Sequence, residues 1–152
     1  MAREKLLGRC LALAFLTACA SSGTGLPADG ALPRGTWGGD GAGMIVSDSG
    51  MHLHIACTFG DASGRVPLDQ SMRFDVSGSY TLRAYPVAVG PSLPARFTGR
   101  VLGTTATVTV TIDDTVQHQT VVRGPVVVRF GDEPRLGPCP ICVRPNAMRR
   151  RT

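Results

Sequence analysis

From Gly35 onward the chain alternates apolar and polar residues with a period of two, and that period admits strands and little else. In the longest run, Met72, Phe74, Val76, Gly78, Tyr80 and Leu82 share one side, with Arg73, Asp75, Ser77, Ser79 and Thr81 on the other. Ala95, Phe97, Gly99 and Val101 alternate with Arg96, Thr98 and Arg100. Gly103-Thr104 then fits a two-residue hairpin turn with Gly first. After it, Ala106, Val108, Val110 and Ile112 alternate with Thr105, Thr107, Thr109 and Thr111. Seven or eight such strands, each with one apolar face, bury those faces only by closing around a shared core. The pattern predicts an all-β fold, a single small antiparallel up-and-down barrel, with a β-sandwich as the second arrangement.

The remaining strands are shorter. Residues 44–47 form one, and Asp48-Ser49-Gly50 turns the chain. The next places Met51, Leu53, Ile55, Cys57 and Phe59 on one face and His52, His54, Ala56 and Thr58 on the other. Residues 60–64 read as a loop, and Val66 and Leu68 as a short strand interrupted by Pro67. Gly78 on an apolar face marks a bend or a close backbone approach. Pro86, Gly90, Pro91 and Pro94 make an irregular connection. Asp113-Asp114 is the next turn, followed by strands at 116–122 and 126–130, split by Gly124-Pro125.

Residues 1–18 have the parts of an export signal. Arg3, Lys5 and Arg9 outweigh Glu4, and residues 11–16 are an apolar core. That core is shorter than the about 20 apolar residues a spanning helix needs. Leu16-Thr17-Ala18-Cys19 resembles the lipobox of bacterial lipoproteins: an aliphatic residue, two small ones, then Cys. The resemblance implies cleavage before Cys19, acylation of its sulfur and freed amine, and stable membrane anchoring by two or more chains. Ala20, rather than Asp, follows the Cys, so the expected home is the outer membrane, facing the periplasm. Residues 19–34 are then the lipidated Cys and a Ser/Gly/Ala/Pro tether, 35–137 the barrel, and 138–152 a Pro- and Arg-rich tail.

The formal net charge of +5 lies at the ends of the chain. The leader carries +2, and Arg149, Arg150 and Arg151 carry +3, so residues 19–148 balance to zero. Nucleic-acid binding needs bases gathered on one face, and a neutral exported domain gives no reason to expect it. The only Lys is Lys5, so the mature chain has no amine side chain for Schiff-base chemistry. Cys57, Cys139 and Cys142 remain after Cys10 and Cys19 are set aside, enough for one intramolecular bridge, from Cys57 to Cys139 or Cys142. Such a bridge staples the tail across the barrel mouth. Cys139-Pro140-Ile141-Cys142 has redox spacing, but flanking prolines deny it the helix N-terminus that activates such a thiol.

Gly35-Thr36-Trp37 resembles the G-x-W opening of the lipocalins and avidin-like proteins, together the calycins. That resemblance implies a Trp plugging one barrel end, an Arg packed across it (Arg123 or Arg129), and a lumen open to a small apolar ligand. A broader stretch, from Gly35–Asp40 through Cys57, Gly78, Tyr80, Gly90-Pro91, residues 95–101 and 107–110, Arg123-Gly124 and Cys139, is similar to a group of uncharacterised secreted bacterial proteins. It implies fold and export only. A lumen of eight strands is equally able to be filled by side chains, and the short chain favours filling.

His52-x-His54 puts two imidazoles on one strand face, and His118 on another strand is a third candidate zinc ligand. No G-x-S-x-G is present. Most Asp residues fall at turns, where backbone reasons account for them. The expectation is a lipid-anchored, non-enzymatic binding or interaction module, without cofactor. Its partner is a small apolar ligand or another envelope protein. The alternatives are a metal-dependent enzyme using His52, His54 and His118, and an inhibitor or assembly partner of an envelope protein.

Overall fold

The computed structural model describes residues 30–82, 90–137 and 139. Cys19, residues 1–29 and Cys142 lie outside them. The strands are β1 (Gly35–Gly39), β2 (Ala42–Val46), β3 (Gly50–Ile55), β4 (Thr58–Ser63), β5 (Arg73–Thr81), β6 (Leu93–Leu102), β7 (Thr105–Asp114) and β8 (Gln119–Phe130). Each pairs antiparallel with its neighbour in sequence, and β8 returns to β1, giving a closed eight-stranded up-and-down, calycin-like barrel. The period-two pattern therefore sets the architecture. No helix among the described residues is long and apolar enough to cross a membrane.

The topology gives the barrel two ends. The chain arrives at the near end, which also carries the β2–β3, β4–β5 and β6–β7 connections. The far end carries the β1–β2, β3–β4, β5–β6 and β7–β8 connections. The near end is stoppered by the chain itself. Leu32 N donates to Val66 O and Leu68 N to Gly30 O, both at 2.8 Å, and Ala31 bridges Pro67. Leu32 and Val66 thereby enter the core, so the barrel takes up the last residues of the expected tether. Pro67 holds a non-hydrogen-bonded place in this bridge, where its missing N–H is not needed, and residues 66–68 make an isolated bridge and no strand.

Inward residues fill the barrel. Trp37, Leu53, Tyr80, Phe97, Val108, Val110, Ile112 and Val128 are completely buried, with Met44 and Met51 beside them. Where β4 meets β5, a side chain at Gly78 would overlap the carbonyl of Asp61 and crowd the Phe97 ring, so this glycine permits a close approach.

Several boundaries differ from the sequence reading; β6 begins at Leu93, so Pro94, expected in the irregular connection, pairs with Ser79 inside the strand. The strand expected to run to Phe59 stops at Ile55, and Ala56-Cys57 makes a two-residue turn with Ala56 at φ 51°. Ile55 pairs with Thr58, so Phe59 faces outward, and residues 58–63 form β4 instead of a loop. The turn expected at Asp113-Asp114 moves onward, because the Asp114 carboxylate accepts from the N–H groups of Val116 (3.1 Å) and Gln117 (3.0 Å) and closes it there. The two strands expected on either side of Gly124-Pro125 are one. The register passes from Val108↔Val126 to Val110↔Arg123, so Gly124 and Pro125 both oppose Thr109 as a bulge. That is where a strand tolerates proline.

After Phe130 the chain doubles back as a strap parallel to β1. Gly131 N donates to Thr36 O at 2.8 Å, Arg135 N to Gly39 O at 3.0 Å, and Gly41 N to Arg135 O at 3.0 Å. Beneath it Gly38 and Gly43, paired across β1 and β2, point outward yet are buried. A side chain at Gly38 would overlap the backbone of Asp132 and Glu133, and one at Gly43 the ring of Pro134.

Candidate functional site

The lumen is the first place a calycin-like ligand would go, and here side chains occupy it. Trp37 spans the core and donates from Nε1 to Pro33 O at 3.0 Å. Tyr80 holds the opposite region, its hydroxyl 2.7 Å from that of Thr58. Thr58 donates to Ile55 O at 2.8 Å, which leaves its oxygen to accept from Tyr80. Burial pushes the Tyr80 phenol above its usual range, and the Thr58 bond and the Arg123 charge oppose that shift. Neither Arg123 nor Arg129 packs across Trp37, as the calycin resemblance implied. Both are exposed, and Arg129 faces Asp132 at 3.9 Å. The group against the indole is Phe130, edge-on at 5.2 Å between ring centroids.

The outer wall carries what chemistry there is. On β3 and β4, His52, His54, Phe59 and Asp61 form a compact cluster. His52 Nδ1 lies 2.6 Å from Asp61 Oδ1, and the two imidazoles meet edge to face at 4.7 Å. Phe59 lies 5.8 Å from the His52 ring and 5.5 Å from that of His54. Desolvation lowers the pKa of His54 from 6.5, the charge of His52 adds to the effect, and Asp61 opposes it. The cluster follows from register: His52 sits opposite Asp61, and His54 opposite Phe59. The sequence reading found the histidines and missed both partners, because the alternation runs unbroken through Ala56-Cys57.

His118 does not join them. It occupies the β7–β8 turn at φ 54°, across the barrel from β3. Among the described residues, no three His, Cys, Asp or Glu side chains converge in a group able to hold a metal ion. The three-histidine site that the sequence offered as an alternative is therefore not assembled by the fold.

Cys57 and Cys139 form a disulfide, their Cα atoms 5.4 Å apart. Cys57 lies in the β3–β4 turn at the far end, and the strap brings Cys139 to it along the outside of β1 and β2. The staple therefore fixes the tail to the wall and rim, where the sequence reading placed it across a mouth. With Cys139 bonded to Cys57, a Cys139–Cys142 redox pair is not formed in this state. Nearby, Arg135 Nε donates to Asp40 Oδ1 at 2.6 Å, and this pairing holds the Asp40 carboxyl below its usual range.

Compared with known proteins, the chain matches no family model, no curated protein and no solved structure.

Proposed function

We propose that this chain is an exported, lipid-anchored envelope protein whose barrel is a non-enzymatic module that binds through its outer wall. The filled core carries the binding half of this reading: Trp37, Met44, Tyr80 and Phe97 occupy the space a lumen ligand would need. Recognition then falls to the exterior, where polar residues alternate with the core positions. The anchoring half rests on Leu16-Thr17-Ala18-Cys19 behind a basic, apolar leader. The acylated Cys19 would hold the protein on the outer membrane, and the Ser/Gly/Pro stretch before residue 30 would let the barrel stand off that surface. The partner of such a module would be another envelope component.

The test is membrane partitioning of the full chain in a two-membrane bacterium. The parent protein is expected in the detergent phase and the outer-membrane fraction, with an intact mass that begins at Cys19 and carries acyl groups. Cys19→Ser is expected to abolish acylation at that position. If Cys19→Ser carries the same lipid mass and partitions as the parent does, the anchoring reading is lost.

A further inference from the structure

The outer face of β5, β6 and β7 carries an arrangement that stability alone does not favour. Arg73 on β5 sits directly opposite Arg100 on β6. Val101 N donates to Met72 O at 2.8 Å, so the flanking residues hold the ladder bonds and Arg73–Arg100 is a non-hydrogen-bonded pair. In such pairs the Cα atoms are about 4.5 Å apart and the side chains are at their closest. Like charges placed so are destabilising.

Among the described residues no side chain pairs directly with either arginine. Every other arginine in the nearby sheet has a partner or lies apart: Arg96 forks onto Asp75, with Nε 2.6 Å from Oδ1 and Nη2 on Oδ2, and Arg129 faces Asp132. Among the described residues, the guanidinium groups of Arg73 and Arg100 have neither ion pair nor hydrogen bond. Two carboxylates are close, and both are engaged. Asp75 holds Arg96, and Asp69 Oδ1 accepts from the backbone N–H groups of Ser71 and Arg73, each at 2.8 Å.

The same two arginines line an open cleft of about 710 Å³. Thr98, Thr107 and Thr109 line it too, as do Pro67 and Leu68 and the carboxylates of Asp69 and Asp75. Arg100 pairs in register with Thr107, so that hydroxyl shares its face, while the Thr98 hydroxyl donates to Thr109 O at 3.4 Å. A planar guanidinium stays charged at any working pH and grips a tetrahedral oxyanion through two parallel N–H donors. Two of them side by side, with the Thr107 hydroxyl on the same face and the Asp75 charge offset by Arg96, match an anion with several acceptor oxygens.

From the Arg73–Arg100 pair, without a direct side-chain partner, and the cleft that it lines, we infer that this face is a binding site for a phosphomonoester group. The phosphate neutralises both arginines at once, and the cleft's volume, with Pro67 and Leu68 in its lining, accommodates what the phosphate is attached to. The site goes beyond the anchored-module reading and does not depend on Cys19. The phosphate arrives either on a small soluble compound or on a lipid headgroup, since both present the same oxygens.

The experiment uses the full chain carrying Cys19→Ser, so that acyl groups contribute nothing. Inorganic phosphate and glucose 6-phosphate are titrated against chloride of matched ionic strength, following thermal midpoint and the Arg Nε–Hε resonances. Vesicles of phosphatidylcholine with and without phosphatidic acid form the second arm, read by co-sedimentation. Saturable binding is expected, weakened about tenfold or more by Arg73→Gln or Arg100→Gln, the effect of losing one charge-assisted pair. Arg34→Gln changes net charge equally at a residue already paired with Asp48, and is expected to leave binding intact.

Because each test variant removes a like-charge contact, both are expected to melt no lower than the parent without phosphate, so lost binding cannot be ascribed to misfolding. Binding of the soluble compounds alone assigns a free phosphomonoester, and sedimentation only with phosphatidic acid assigns a headgroup. No response in either arm overturns the site. An equal loss in Arg34→Gln also overturns it, since binding would then be diffuse electrostatics.

Discussion

Trp37 and Phe130 are register partners across the β1–β8 seam, their rings 5.2 Å apart at an interplanar angle of 66°. That seam has only two residue pairs, Trp37↔Phe130 and Gly38↔Arg129, against eight between β6 and β7. A short ladder leaves closure dependent on side-chain contact. Edge-to-face aromatic pairs add about 0.5–1.5 kcal/mol beyond the area they bury. Phe130 remains 41% exposed, so its full transfer energy is not at stake. Phe130→Ala is expected to lower unfolding free energy by about 2 kcal/mol, below the range for truncating a fully buried aromatic, and Phe130→Leu by less. Urea unfolding followed by Trp37 fluorescence measures both. A Phe130→Ala midpoint equal to the parent's would mean that the strap, not the aromatic pair, closes the barrel.

The strap depends on two glycines whose neighbours differ in kind. A Cβ at Gly38 meets main-chain atoms of Asp132 and Glu133, whereas one at Gly43 meets the Pro134 ring. Overpacking of this sort costs about 1–3 kcal/mol. Gly38→Ala and Gly43→Ala are both expected to destabilise by that order. Pro134→Gly should rescue Gly43→Ala and leave Gly38→Ala unrescued, because the obstacle at Gly38 is backbone. A double-mutant cycle by thermal unfolding reads the difference directly. Equal rescue of both would show that the strap simply lifts away.

These cases mark where the sequence was readable. Alternation at 72–82 and 95–112 needs only local period, and the structure has strands there. The turn at Gly103-Thr104 was visible because Gly103, at φ 59°, supplies its own signal. Ala56-Cys57 has no such residue, so the turn was invisible and Phe59 was placed inside. Gly124-Pro125 reads as a break unless Thr109 is known to sit opposite. Nothing local marks Gly38 and Gly43 as covered positions, since the strap over them arrives from about 90 residues downstream. The same holds for the sites. His52 and His54 could be found alone, but Asp61, Phe59 and the Arg73–Arg100 opposition belong to pairs of strands, and register emerges only when the strands align.

The Cys57–Cys139 bridge spans 82 residues of sequence. Closing a loop of this length removes chain entropy equivalent to about 4 kcal/mol from the unfolded state. Cys57→Ser/Cys139→Ser is expected to lose up to that amount and still fold, because the Arg135–Asp40 pair and the backbone bonds at Gly39 and Gly41 keep the strap seated. Non-reducing peptide mapping should find the 57–139 linkage in the parent. Finding Cys57 joined to Cys142 instead would reassign the staple, and an unfolded double variant would show that the strap's other contacts are too weak to close the barrel.

His54 gives the barrel a pH dependence whose sign is fixed by desolvation. Its folded pKa lies below 6.5, the ordinary value it regains on unfolding. Between those two values the unfolded chain binds more protons than the native one, so stability falls as pH falls. The contribution is complete above 6.5 and is lost progressively as the pH drops through the folded value. His54→Gln removes the titrating group and keeps a polar side chain on the same wall beside Phe59. Urea midpoints measured at pH 7.5, 6.5 and 5.5 should therefore decline more steeply in the parent than in His54→Gln, with the two converging in slope above pH 7. Parallel declines would trace the acid sensitivity to another group, and a parent that gains stability on acidification would reverse the sign assigned to His54.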